Sequence, residues 1–191
     1  MAHNKISDDQ ILHRGELILN DVIQDQLTGS AWSEVTLTAQ SMAREKEEED
    51  RVLKEISALV RKTAEKLQRD TELNHAIDSK WPVTSKNTYW TLVNKVFEDG
   101  VITWERIVVL FYIAGKLAAK VVRDSVPHRV TDIVSWTLDF FRRNLLNWIR
   151  QQGGWESIIS CLSTPTYQMC AIFLSGILLG GLIVWRMGEK K

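Results

Sequence analysis

Little in this chain would interrupt or staple it. Proline occurs three times, at Pro82, Pro127 and Pro165, and cysteine twice, at Cys161 and Cys170. Two late cysteines without a CxxC pair make neither a disulfide framework nor a structural zinc site, and they point to a reducing compartment. Net charge is lacking too, because 24 basic and 24 acidic residues cancel. Without a basic field, nucleic acid is not an expected partner. No conspicuous alternating apolar–polar run suggests a strand. There is no GxxxxGK[ST] loop, GxSxG elbow or HExxH pair, and the histidines are scattered. Cys161 and His128 are a dyad in name only, since nothing in the sequence brings them together. No enzymatic activity, cofactor or metal is expected. The opening "MAHNKISDDQ" has neither a basic start nor an apolar stretch. No secretory signal is expected there, and a membrane would be met from the cytosol.

What is present is helical periodicity, in a chain of 191 residues that suits one domain with an appendage. Ser7 and Gln10 form a capping box, with Asp8 and Asp9 at the positive end of the helix dipole. Ile11, Ile18, Leu19 and Val22 mark that helix's inner face, and Gly29-Ser30 ends it. The run "REKEEEDR", Arg44 to Arg51, reads as a solvated face or loop. A helical stripe resumes from Leu53 to Ile77. Pro82 breaks the chain, and a helix over Thr88 to Phe97 ends at the turn Glu98-Asp99-Gly100. Trp104 to Val122 is apolar nearly all round, which marks a bundle's centre or a membrane element. Val130 to Arg150 is amphipathic, with Ile133, Phe140, Phe141 and Leu145 opposite Asp132, Asp139 and Arg142. Gly153-Gly154 stops it, and a short helix follows at Trp155 to Leu162. The expected fold is an all-α bundle around one central apolar helix.

The end of the chain differs in kind, since "MCAIFLSGILLGGLIVW", Met169 to Trp185, carries no charge. At about 1.5 Å per residue these residues span ~25 Å, the short end for a bilayer core of ~30 Å. Tyr167 and Trp185 sit where aromatic interface anchors belong. Ser163-Thr164-Pro165 supplies a capping hydroxyl and a first-turn proline. The expectation is a C-terminal hydrophobic helix over 166–188, a transmembrane tail anchor inserted after synthesis. Met169, Ile172, Phe173, Leu179, Ile183 and Trp185 would form the anchor. Gly176 and Gly180 make a GxxxG pair through which two such helices can approach. Burying about ten large apolar side chains there is worth ~15–30 kcal/mol before ordering and desolvation costs. The competing reading is a very apolar core helix.

Two stretches give the chain a resemblance. "VFEDGVITWERIVVLFYIAGKLAAK" and "DIVSWTLDFFRRNLLNWIRQQGGWESI" resemble the apoptosis regulators of the B-cell lymphoma two family. "WTLDF", Trp136 to Phe140, and "QGGW", Gln152 to Trp155, are the most specific pieces. "SDDQILHRGELILNDVIQDQ" is similar to the family's first helix, and the tail falls where the family's ninth helix falls. The resemblance covers nearly the whole chain and is strongest to the pro-apoptotic effectors.

The resemblance implies a Bcl-type bundle of eight to nine helices over 1–165. Within it the third homology region would lie about 53–70, the first about 97–117 and the second about 148–163. It also implies a groove that receives the third homology (BH3) helix of relatives. The implied partners are BH3-only activator proteins, anti-apoptotic Bcl-family proteins, further copies of the chain as homodimers and higher oligomers, and mitochondrial outer membrane lipid. Such a protein rests in the cytoplasm. On activation it moves to the mitochondrial outer membrane, inserts, oligomerises and permeabilises it.

The third homology helix falls in "ISALVRKTAEKL". Ile56, Val60, Thr63 and Leu67 take the anchor stripe at the spacing a groove ligand needs, with Ala64 at the small position and Glu65 at the acidic one. The family pattern has leucine, a small apolar residue, glycine and aspartate. Val60 therefore lacks a methylene worth about 0.8 kcal/mol when buried, and Thr63 brings a hydroxyl. For the groove, the resemblance implies Gly100, Trp104, Arg106, Val108 and Phe111. Arg106 would pair with the bound helix's acid, a charge-assisted and often bidentate contact. As a cation in a helix's first turn it also opposes the dipole. Glu105 stands where glycine is common. His13 and Thr131 match the basic positions of an activation surface between the first and sixth helices, with His128 nearby. Arg106→Glu is expected to abolish the response to an activating helix and leave the fold intact. Two other readings stay open: a protective groove protein that sequesters BH3 helices, and a tail-anchored adaptor.

Overall fold

The computed structural model describes residues 7–27, 45–69, 71–80 and 85–162. Among them lie α1 (Asp8–Leu27), α2 (Glu45–Gln68), α3 (Thr71–Lys80), α4 (Lys86–Val96), α5 (Trp104–Arg123), α6 (Arg129–Phe140), α7 (Leu146–Gln151) and α8 (Ser157–Leu162). A π-helical turn, Phe141–Leu145, joins α6 to α7. The fold is the expected all-α bundle. The C-terminal anchor, from Met169 to Trp185, lies outside the described residues.

Local chemistry starts the helices where the side chains allow it. The capping box forms at α1: the Gln10 N–H donates to Ser7 Oγ at 3.2 Å, and the Ser7 N–H donates to Gln10 Oε1 at 3.0 Å. Ser85 caps α4 by accepting the Thr88 N–H, and Thr103 caps α5 by accepting the Arg106 N–H. The charged run is helical from Glu45 onward, so of its two readings the helical one holds.

The stripe expected from Leu53 to Ile77 is two helices, not one. Asn74 divides them. Its side-chain amide donates to the carbonyls of Leu67 and Gln68 at 2.9 and 3.0 Å, taking acceptors that a continuous helix would give to backbone N–H groups. Tyr112 in turn donates to Asn74 Oδ1, which ties this break to α5. The segment from Val130 to Arg150 is likewise interrupted, by the π turn. There the Asn144 side chain donates to the Phe140 carbonyl at 2.9 Å, and the adjacent Phe140 and Phe141 are both buried.

α5 is the axis. It packs most extensively on α1 and also touches α2, α3, α4, α6 and α8. Fifteen of its twenty residues are buried, which leaves it no water-facing side of any width. The two most specific sequence pieces prove to be clamps around it. In "WTLDF" the fully buried Thr137 hydroxyl donates to the Ile133 carbonyl at 2.7 Å and receives the Tyr89 hydroxyl at 2.6 Å. Burial pushes that phenol's pKa well above its ordinary value. The Trp90 indole N–H reaches the Trp136 carbonyl at 3.2 Å, completing the seam between α4 and α6.

In "QGGW" both glycines are left-handed, at φ +90° and +95°. The Gly153 N–H returns to the Arg150 carbonyl at 3.2 Å and the Gly154 N–H to the Ile149 carbonyl at 3.0 Å, a two-bond glycine C-cap that turns the chain sharply inward. Trp155 is thereby driven into the core. Its ring stacks on Phe141 with centroids 5.7 Å apart, and its N–H donates to the Ile11 carbonyl at 2.8 Å.

Gly15 on α1 makes room for that stack. A Cβ there would lie 3.1 Å from Trp155 Cζ2 and 3.2 Å from Phe141 Cζ, and both stacked rings are buried. Alanine improves helix propensity by about 1 kcal/mol, but overpacking a rigid core costs about 1–3 kcal/mol. Gly15→Ala is therefore expected to destabilise the protein by roughly 1 kcal/mol, read as a lower denaturation midpoint in urea. An unchanged or higher midpoint would show that the rings yield.

Candidate functional site

The residues expected to carry the third homology helix sit together on α2. Ile56, Val60, Ala64 and Leu67 are buried with Thr63, whereas Glu65 is exposed. The stripe thus faces the protein's own core. Its polar members are handled unequally. Thr63 returns its hydroxyl to the Leu59 carbonyl at 3.0 Å, while Ser57 Oγ is buried without a hydrogen-bond partner among the described residues.

The five expected groove residues cluster around the start of α5. Gly100 holds the turn before it at φ +74°, fully in the open. Trp104, Val108 and Phe111 are each no more than 4% exposed. Trp104 packs against Trp148 and Trp155 at 5.1 and 5.4 Å between centroids, and Phe111 against Trp155 at 6.1 Å. In this state these aromatics belong to the core that Trp155 organises.

Arg106 is not a surface residue, as its side chain is 7% exposed. It is also already engaged. Nη1 pairs with Asp99 Oδ1 and Nη2 donates to Asp99 Oδ2 at 2.7 Å, while Nη1 donates also to the Val101 carbonyl at 2.8 Å. Asp99 Oδ1 in addition accepts the Val101 N–H at 3.0 Å, which fixes the turn. The Arg106 guanidinium, and after it that backbone N–H, hold the Asp99 carboxyl far below the usual carboxylate range. With a depressed folded pKa, the pair's contribution is present above the unfolded value of about 3.9 and is lost as pH falls toward the folded one. At neutral pH the pair is fully formed. Sequence reading had placed Asp99 only in a turn. Its signal was the Asp-Gly pair seven residues ahead of the arginine, at the distance a turn and one helical turn fold back.

A second concavity lies between α1 and α6, a cavity of about 490 Å³ floored by Leu12, Ile23, Val130, Val134 and Leu138. His128 and Thr131 line it, but His13 does not.

The matched relatives decide the lineage. The family model for apoptosis regulator proteins of the Bcl-2 family matches residues 49–155. Apoptosis regulator BAX of mouse and of human is 34% identical over 180 residues, covering 94% of this chain and 91% of theirs. The chain belongs to the Bcl-2 family. It is a Bax-like apoptosis regulator of that family. Chicken BOK has the same fold, with a TM-score of 0.66 at 22% identity over 82% of this chain and 99% of its own. So does Trichoplax adhaerens trBcl-2L2 in complex with trBak BH3, with a TM-score of 0.64 at 19% identity over 80% and 99%.

The buried pairing of Arg106 corrects the view that Arg106→Glu leaves the fold intact. A glutamate there would face Asp99, abandon the Val101 carbonyl and place two carboxylates in one turn. Arg106→Glu is expected to lower Tm by about 4 °C or more, measured by thermal melting of the full chain. An unchanged melt would show that the pair contributes nothing to the fold.

Proposed function

We propose that this protein is a pro-apoptotic, Bax-like effector that inserts in the mitochondrial outer membrane on activation, oligomerises and permeabilises it. The observation that carries this reading is the extent of the relationship to BAX. A match over 94% of the chain is not confined to the homology regions that all groove proteins of the family share. The proposed domains are a bundle over 1–165 with its three homology regions and a tail anchor over 166–188. At rest the protein is in the cytoplasm.

Activation by the BH3 helix of an activator protein loosens α2, and the stripe from Ile56 to Leu67 leaves its own core for the groove of a second copy. The groove there is the region of Gly100, Trp104, Arg106, Val108 and Phe111, opened from the closed state. α5 and the helices that follow it to Arg150 then offer their apolar surface to the bilayer, while the tail anchors the chain. The composition of α2 supports its part in this sequence. Val60 and Thr63 bury less apolar surface than larger aliphatic residues would, and Ser57 enters the core unpaired. A helix held this loosely costs less to release.

Liposomes loaded with a self-quenching dye, at mitochondrial outer membrane composition, test the reading. Full-length protein with an added activator BH3 peptide is expected to release the dye, and protein lacking residues 166–191 to release far less. Suppression of another effector's leakage would instead identify a protective groove protein. Absence of both effects would leave a tail-anchored adaptor, and either result would overturn the proposal.

A further inference from the structure

We infer that Asp99 is an internal rival for the acidic residue of any helix that enters the groove, and so sets how strongly the groove selects for that acid. The inference rests on the groove reading above and concerns the selectivity of that site. A guanidinium offers five N–H groups. Asp99 takes one from each terminal nitrogen, in the two-pronged manner that a ligand carboxylate would use, and the Val101 carbonyl takes a second hydrogen from Nη1. Among the described residues, what stays open is Nε–H and one hydrogen of Nη2, on a side chain only 7% exposed.

An incoming acid must displace Asp99 or settle beside it, placing two carboxylates on one cation. Glu105, the residue just before Arg106 in the helix, adds its negative charge to the same neighbourhood. Displacement is hard because the rival is tethered. Asp99 is seven residues from Arg106, in a turn held by left-handed Gly100 and by its own bond to the Val101 N–H. A partner joined by so short a tether acts at a very high effective concentration. A ligand therefore gains little from its acid and must bind through its apolar anchors.

Two labelled peptides spanning residues 51–69, one with the natural sequence and one with Glu65→Gln, discriminate the possibilities when titrated into full-length protein by fluorescence anisotropy. The wild type is expected to bind them within about threefold of each other. Asp99→Asn keeps an oxygen for the Val101 N–H but removes the charge. It should tighten the natural peptide about tenfold and leave the Gln peptide where it was. Asp99→Ser, which retains an acceptor in the turn, should behave alike and serves if the first variant is poorly folded. If both variants show the wild-type ratio between the peptides, Asp99 is no rival and the inference fails while groove binding stands. If neither peptide binds any form at millimolar concentration, the groove reading falls and takes this inference with it.

Discussion

A twenty-residue helix with fifteen buried residues cannot be left in water, and α5 is such a helix. Its burial demands cover from every direction, and the positions of α1, α2, α3, α4, α6 and α8 follow from that demand. Hydrophobic burial has no direction of its own. The specific bonds around α5 are what turn a collapse into one arrangement. The Tyr89–Thr137 hydroxyl pair fixes α4 on α6, Asn74 and Tyr112 fix the break between α2 and α3, and Trp155 reaches across to the Ile11 carbonyl. Each of these polar groups is satisfied within the core, so it specifies geometry without an unpaired donor.

The same demand shapes α2, whose apolar residues at helical spacing cover α5. In the proposed activation that stripe would fill another molecule's groove, because a groove ligand needs the same spacing. Its quality as a cover is modest: Val60 is small, Thr63 satisfies its hydroxyl inside its own helix, and Ser57 finds no partner. Among the described residues no helix is long and apolar enough to cross a membrane. Within them, the store of apolar surface is the shared core that α2 helps to close.

Charge is placed where burial forces it to be paired. Arg106 is the only buried cation among the described residues, and it is neutralised on the spot by Asp99 and the Val101 carbonyl. Away from the core, Asp78 on α3 meets Arg123 at 3.0 Å, and its carbonyl accepts Lys120 Nζ at 2.6 Å, tying the far end of α5. Pairs at that exposure add little to stability in salt, but they orient α3.

Much of the fold was legible in the residues themselves. The capping box at Ser7, the apolar circumference of α5, the glycine stop at Gly153-Gly154 and the inward stripe of α2 are all local patterns, and short-range physics decides them. The resemblance carried by "WTLDF" and "QGGW" pointed to the family, and the residues of those motifs act here as structural clamps. The break of α2 from α3 and the π turn were not legible, because each depends on a side chain, Asn74 or Asn144, that competes for a backbone carbonyl. Asparagine can do so in many contexts and does so in few.

By itself the sequence determined that the chain is helical, which segment lies at its centre and which stripe faces inward, since periodicity and capping act over a few residues. Only the tertiary structure decided that Arg106 is buried rather than on the surface and that Asp99 is its partner. It also decided that Trp104 and Phe111 join the Trp155 cluster and that a cavity opens between α1 and α6. Those outcomes depend on which side chains meet across helices. Such meetings are fixed by the packing of the whole bundle around α5.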